Sequence, residues 1–222
     1  MPSNREAFLL AGVGGCIDAI GLLTLGGLFV SHMSGNTATF GAMFSQGNWS
    51  AGAPHLFAVP VFLAGLFLGY LWVGKSPSNR RCAALFLIEA GLLTAFGLGL
   101  WVRGELAINS PGYFLLVTPA LLAMGLQNST LREIRHSTFP STYVTGVLDR
   151  LAKSAATSCR EREGPEAAAK KDDAIAALCV WLSYVAGAIG GGAGVLFFQH
   201  LILLIPIGLL IFLAVHLVRR GT

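Results

Sequence analysis

Ala7-Phe8-Leu9-Leu10-Ala11-Gly12-Val13-Gly14-Gly15-Cys16-Ile17-Asp18-Ala19-Ile20-Gly21-Leu22-Leu23-Thr24-Leu25-Gly26-Gly27-Leu28-Phe29-Val30 is an almost unbroken apolar run with a carboxylate in its middle. A helix needs about 17–25 such residues to cross a hydrocarbon core. Five further runs of that size follow, at Leu56–Val73, Cys82–Trp101, Tyr113–Leu131, Ala174–Phe198 and Leu201–Val218. Six transmembrane helices and their connections use nearly the whole chain. The expectation is an all-α, polytopic membrane protein, with residues 1–222 forming a single integral membrane domain. Its composition agrees: 54% of residues are hydrophobic, only 12% are charged and the mean hydropathy is +0.67. Soluble domains carry about twice that share of charge.

The basic residues orient the helices. Successive connections alternate sides, and of the fifteen lysines and arginines only Arg103 falls opposite the rest. Lysine and arginine are retained on the cytoplasmic side, so both termini are expected there (N-in, C-in). The same bias explains the pI near 9.1 without nucleic acid, for which no motif or basic-aromatic stripe exists. The expected contacts of these basic segments are lipid headgroups. Cys16, Cys82, Cys159 and Cys179 form no Cys-x-x-Cys pair, so neither a disulfide nor a metal site is expected. Nothing in the sequence calls for a cofactor.

The chain also reads as two copies of one unit. A shift of 111 residues places Gly14 on Gly125 and Gly35 on Gly146, and a shift of 122 places Ala64-Gly65 on Ala186-Gly187 and Gly69 on Gly191. A charged insertion at about 160–173 (Arg160–Asp173) accounts for the difference. Repeat 1 then covers 7–101 and repeat 2 covers 113–218. Three helices are an odd number, so the second copy starts on the opposite face and the 3+3 repeat is inverted, an arrangement common in secondary transporters. Gly65-x-x-x-Gly69 and Gly187-x-x-x-Gly191 place small residues one turn apart, which permits close helix approach. The same faces serve packing within one chain or self-association.

Polar groups inside the apolar runs are the candidate site. Asp18 lies about 18 Å into the first run at 1.5 Å per residue, where a charge costs about 2.5–3.5 kcal/mol on the insertion scale. Its counterparts are Gln127 and Asn128, and all three either line a polar midplane site or clamp helices together. Glu89 is a second intramembrane carboxylate, placed to snorkel toward the surface or to act. His32-Met33-Ser34-Gly35-Asn36-Thr37 follows the first run, and Thr142-Tyr143-Val144-Thr145-Gly146 is its mate. Serine, threonine, asparagine and glycine suit a helix start, so short broken or re-entrant segments are expected after helices 1 and 4. Ser34, Gly35, Asn36, Thr37, Thr145 and Gly146 therefore join Asp18, Gln127 and Asn128 as candidate solute- or ion-binding residues, with His32 and Glu89 in a second rank. His136 is a further titratable residue of these segments. Asp149–Asp173 suits either an interfacial helix or a solvated loop.

Gly15-Cys16-Ile17-Asp18-Ala19, Phe29-Val30-Ser31-His32-Met33-Ser34-Gly35-Asn36-Thr37, Met124-Gly125-Leu126-Gln127-Asn128 and Val144-Thr145-Gly146 together resemble the YoaK family of bacterial inner-membrane proteins, a family of unknown function. The resemblance runs over essentially the full length. Ser34 stands where the family often has threonine, which keeps the hydroxyl. What the resemblance implies is a six-helix protein of the bacterial plasma membrane; it supplies no substrate and no site.

The functional expectation is a small-solute or ion transporter with its polar site where the repeats meet. Against it stands a non-catalytic assembly or partner subunit. An intramembrane enzyme is disfavoured, because no His-Glu-x-x-His, Gly-x-Ser-x-Gly or metal-ligand spacing exists.

Overall fold

A computed structural model describes residues 5–74, 78–103, 107–135, 144–160 and 164–219. Among them are eight α-helices: α1 (Arg5–Thr24), α2 (Met33–Ser45), α3 (Trp49–Val73), α4 (Asn79–Arg103), α5 (Pro111–Arg135), α6 (Val144–Arg160), α7 (Pro165–Phe198) and α8 (Leu204–Arg219). A 3-10 turn, Gln199–Leu203, joins the last two. The first apolar run is therefore not helical to its end. Gly26 and Gly27 adopt φ of 68° and 87°, a region that excludes most side chains. The Gly27 amide closes the helix on the Leu22 carbonyl at 3.2 Å. The chain then turns back through Leu25–His32 and starts α2. With α1 ending at Thr24, Asp18 is about 20 Å from the helix start and only about 9 Å from its end, so it lies off the middle.

Other bounds moved for local reasons. α3 begins at Trp49 instead of Leu56, because the Asn48 side chain accepts from the Ala51 amide at 3.1 Å and caps it. The charged run from Pro165 is helical and belongs to α7. At 34 residues α7 is longer than a bilayer requires, and its first turns pack against amphipathic α6, where Arg150 meets Asp173 at 3.3 Å. Of the two readings of Asp149–Asp173, the described residues give helix.

α1 packs along α7, and α3 along α5. Glycines set both crossings. A Cβ on Gly15 would strike the Tyr184 carbonyl and the Ala188 amide; one on Gly125 would strike the Phe62 carbonyl and the Leu66 amide. Gly187 faces Gly12 as Gly65 faces Leu122; Gly191 faces the Cys16 backbone, whereas Gly69 faces the Ser129 side chain with Leu126 beyond it. Leu122 and Gly125 of α5 lie 110 residues after Gly12 and Gly15 of α1, and Gly187 of α7 lies 122 after Gly65 of α3. The sequence shift of 111 pairs Gly14 with Gly125, whereas the glycines whose Cβ would strike the crossing helix are Gly15 and Gly125, 110 residues apart. A one-residue slip turns a helix face by about 100°, so only packing distinguishes the two glycines of the Gly14-Gly15 pair. Residues 33–40 and 144–151 share one sequence of buried, half-buried and exposed positions.

Chain reversals gather at two poles. At one, Asn109 donates to Ser50, and Gly26 abuts Ile108. At the other, Trp72 donates to the Arg81 carbonyl, joining α3 to α4. Between the poles the bundle turns apolar side chains outward: Ile189, Leu196 and Phe197 are 67–79% exposed, more apolar surface than water tolerates. Arg5–Thr24, Trp49–Val73, Asn79–Val102 and the α7–turn–α8 stretch Ala167–Arg219 are long and apolar enough to cross a membrane. α5 is long enough but less apolar, since it carries Gln127, Asn128, Ser129 and Thr130, all buried. α4 packs along both α5 and α8, whereas α8 touches α1 sparingly. Between α1, α7 and α8 this leaves a mainly apolar cavity of about 370 Å³, lined in part by Gly12, Cys16, Gly187 and Pro206.

Candidate functional site

The break after α1 builds a polar knot around Asp18. Its Oδ1 accepts from the backbone amides of Val30 at 2.8 Å and Ser31 at 2.7 Å. Its Oδ2 accepts from the Ser31 hydroxyl at 2.5 Å and from the Tyr184 hydroxyl of α7 at 2.9 Å. His32 Nδ1 lies 2.7 Å from the same oxygen and 3.2 Å from the Tyr184 hydroxyl. Five donors thus surround a carboxylate whose side chain is 3% exposed. Hydrogen bonds to an ionised acceptor are among the strong ones, and together they compensate a charge that burial alone would expel.

The same link is gripped from other helices. Asn36 on α2 turns its amide back, accepting from the Phe29 amide at 3.1 Å and donating to the Phe29 carbonyl at 2.7 Å. His55 Nδ1 of α3 meets Asn36 Oδ1 at 3.1 Å. The Tyr113 hydroxyl of α5 donates to the Leu25 carbonyl at 2.8 Å. Residues 25–32 therefore carry no regular backbone ladder, yet several of their polar groups are met by side chains of α1, α2, α5 and α7, and His55 of α3 braces Asn36. Irregular backbone inside a membrane protein survives only on such terms.

Of the residues expected from sequence, Asp18, Asn36 and His32 come together on this link. Ser34 and Thr37 are exposed and Gly35 half-buried in the first turn of α2; Thr37 donates to the Met33 carbonyl at 2.8 Å. The expected side-chain cap at that start does not form: His32 occupies the capping position without capping, and Asn36 serves the preceding loop instead. Gln127 does not join the knot. It donates to the Leu10 carbonyl at 2.9 Å, two turns of α1 away from Asp18. Asn128 donates to the Met124 carbonyl at 3.0 Å within its own helix. Thr145 is exposed and Gly146 half-buried on α6, with no hydrogen bond to Asp18, Asn36, Gln127 or Asn128. Glu89 is buried in α4, apart from all of these. His136, Thr142 and Tyr143 lie outside the described residues.

Sequence reasoning missed Ser31, Tyr184, His55 and Tyr113. Only Tyr184 left a signal, a lone phenol beside the glycine face of α7. His32, read as an interfacial residue, is a partly open member of the knot, its side chain 25% exposed, and Tyr184 is half-buried. A buried carboxylate joined to a half-open imidazole and a phenol is a chain along which a proton can pass. Among the described residues no group of three or more histidine, cysteine, aspartate or glutamate side chains could hold a metal ion.

A helical bundle with lipid-length apolar helices and outward apolar side chains defines a multi-pass membrane protein. The chain belongs to the family described as "Protein of unknown function (DUF1275)", which it matches over residues 7–216. It is 25% identical over 210 residues to the UPF0700 transmembrane protein YoaK of Bacillus subtilis (strain 168), covering 93% of this chain and 90% of that protein. No solved structure matches it.

Proposed function

We propose that this protein is a small-solute or ion transporter of the bacterial plasma membrane, built from two inverted three-helix repeats with both termini in the cytoplasm. The observation that supports the reading is the shared offset of the glycine contacts: Gly15 and Gly187 of the α1–α7 crossing match Gly125 and Gly65 of the α5–α3 crossing, and residues 33–40 and 144–151 share one burial pattern. Two like halves joined in this way are the framework of alternating access, in which one half rocks against the other around a site at their interface. The Asp18 knot lies at such a contact, since Tyr184 reaches it from the second half. In this reading Asp18 is the coupling group and half-open His32 its link to solvent. The unequal packing of α4 on α5 and α8 on α1 is what one end state of a two-state carrier requires. Membrane lipid is the surrounding partner, and no catalytic step is invoked.

Uptake into proteoliposomes, screened across solute and ion classes under an imposed pH gradient, tests this. Flux is expected in the native protein and its loss in His32→Gln and Asp18→Asn. Equal flux in both variants removes the knot from the mechanism, and absence of flux in every class removes transport.

A second reading, a non-catalytic assembly subunit or self-associating protein, is favoured by one observation: Gly190 opens onto empty space on α7 beside the apolar cavity. Co-purification of one stoichiometric partner, or a stable homo-oligomer lost in Gly190→Leu, supports it over transport.

A further inference from the structure

Glu89 is a carboxylate deep within an apolar helix that the knot does not use. Its side chain sits on α4 among Leu85, Phe86, Ala90 and Leu93, each 4% exposed or less, and Glu89 itself is 1% exposed. Both carboxyl oxygens are buried without a hydrogen-bond partner among the described residues. It stands ten residues beyond Asn79, about 15 Å into the helix, too deep for its short side chain to snorkel to the surface. The elements packed against α4 carry few titratable groups. These are His55 and Tyr70 on α3, Tyr113 on α5, His200 in the 3-10 turn, and His216 and Arg219 on α8. Arg132, Glu133 and Arg135 close the C-terminal end of α5. Of His55, Tyr70, Tyr113, His200, His216 and Arg219, none makes an ion pair or hydrogen bond with Glu89.

An unpaired carboxylate in such surroundings costs several kcal/mol, and a group so placed takes up a proton instead of remaining charged. Hard cations need several oxygen ligands, and among the described residues Glu89 belongs to no group of three or more histidine, cysteine, aspartate or glutamate side chains that could hold one.

We propose that Glu89 is a proton-binding site separate from the Asp18 knot, held as the neutral acid while α4 is closed on α5 and α8. The two carboxylates divide the roles by environment. Five donors meet the Asp18 carboxyl and can compensate a charge there, whereas Glu89 has none among the described residues and is held neutral. Release of the Glu89 proton requires water to reach α4, which happens only when its contacts part. The coupling of that release to solute movement rests on the transport reading; the protonated site does not.

Infrared spectra of the full chain in lipid at neutral pH decide the matter. A carbonyl stretch of a protonated, weakly hydrogen-bonded carboxyl is expected in the native protein, retained in Asp18→Asn and lost in Glu89→Gln. Glu89→Gln is also expected to fold as well as the native chain, because the amide replaces a neutral acid of the same shape. A second probe is dicyclohexylcarbodiimide. The acid proton passes to a reagent nitrogen while the carboxylate oxygen adds to the central carbon, so in lipid only the protonated acid reacts. Label at Glu89 and not at Asp18 is the expected result. Loss of an ionised-carboxylate band in Glu89→Gln, or no protonated band in the native chain, overturns the proposal. If the band is present while no solute moves in any flux assay, the site stands and the transport reading falls. Flux without the band gives the reverse.

Discussion

At the residue scale the decisive difference lies between two carboxylates that composition treats alike. Asp18 holds five donors drawn from the α1–α2 link and from α7, whereas Glu89 holds none among the described residues. Asp18→Asn replaces an acceptor oxygen with a donor NH₂ that faces other donors. Removing one partner of a buried charged set costs about 3–5 kcal/mol, and denaturant unfolding in micelles is expected to show a loss of that order. Tyr184→Phe deletes a single hydrogen bond and should cost about 0.6–1.7 kcal/mol, the range found for interhelical bonds in membranes. Equal stability of Asp18→Asn and the native chain would mean that the knot is not closed as described. The need for a partner at Asp18 was legible in the sequence, since a charge in an apolar run must be compensated. Its partners were not, because two are backbone amides and one comes from 166 residues away.

At the element scale, glycine positions separate into those that set helix crossings and those that do not. Gly65 and Gly187 admit a neighbouring backbone where a Cβ would stand, while Gly91 and Gly190 face open space. Alanine at 187 or 65 is expected to destabilise by about 1–3 kcal/mol, as overpacking does. Alanine at 190 or 91 should instead stabilise by up to about 1 kcal/mol, because alanine is the better helix former. Thermal unfolding of the four variants in micelles checks the sign, and a loss at all four would refute this division. The glycine pattern itself was visible in the sequence. Which member of Gly14-Gly15 faces the partner helix was not, because adjacent residues point about 100° apart and nothing local chooses between them.

At the scale of the whole molecule, the sidedness of the connections is open to direct test. Gln46 and Asn109 lie toward one pole, and Cys159, at the end of α6, lies with the charged start of α7. With both termini in the cytoplasm, a cysteine introduced at Gln46 in a background otherwise lacking cysteine should react with an impermeant maleimide on intact cells. Native Cys159 should react only after permeabilisation. Reaction of both from outside would overturn the proposed topology. The unequal closure of α4 on α5 and α8 on α1 belongs to this scale too. A cross-link fastening Gly99 to Leu116, whose side chain a Cβ at 99 would meet, should hold α4 shut and abolish any flux without lowering stability.

The amino-acid sequence alone determined the apolar run lengths and the helical class. Each of these follows from local composition set against the thickness and polarity of a bilayer. It also marked where charge would have to be compensated. The tertiary structure decided where the first helix stops, which oxygen meets which donor, and that Gln127 serves Leu10 instead of the Asp18 knot. Those outcomes depend on the rotation and depth of one helix against another, and rotation is set by contacts between residues more than a hundred positions apart.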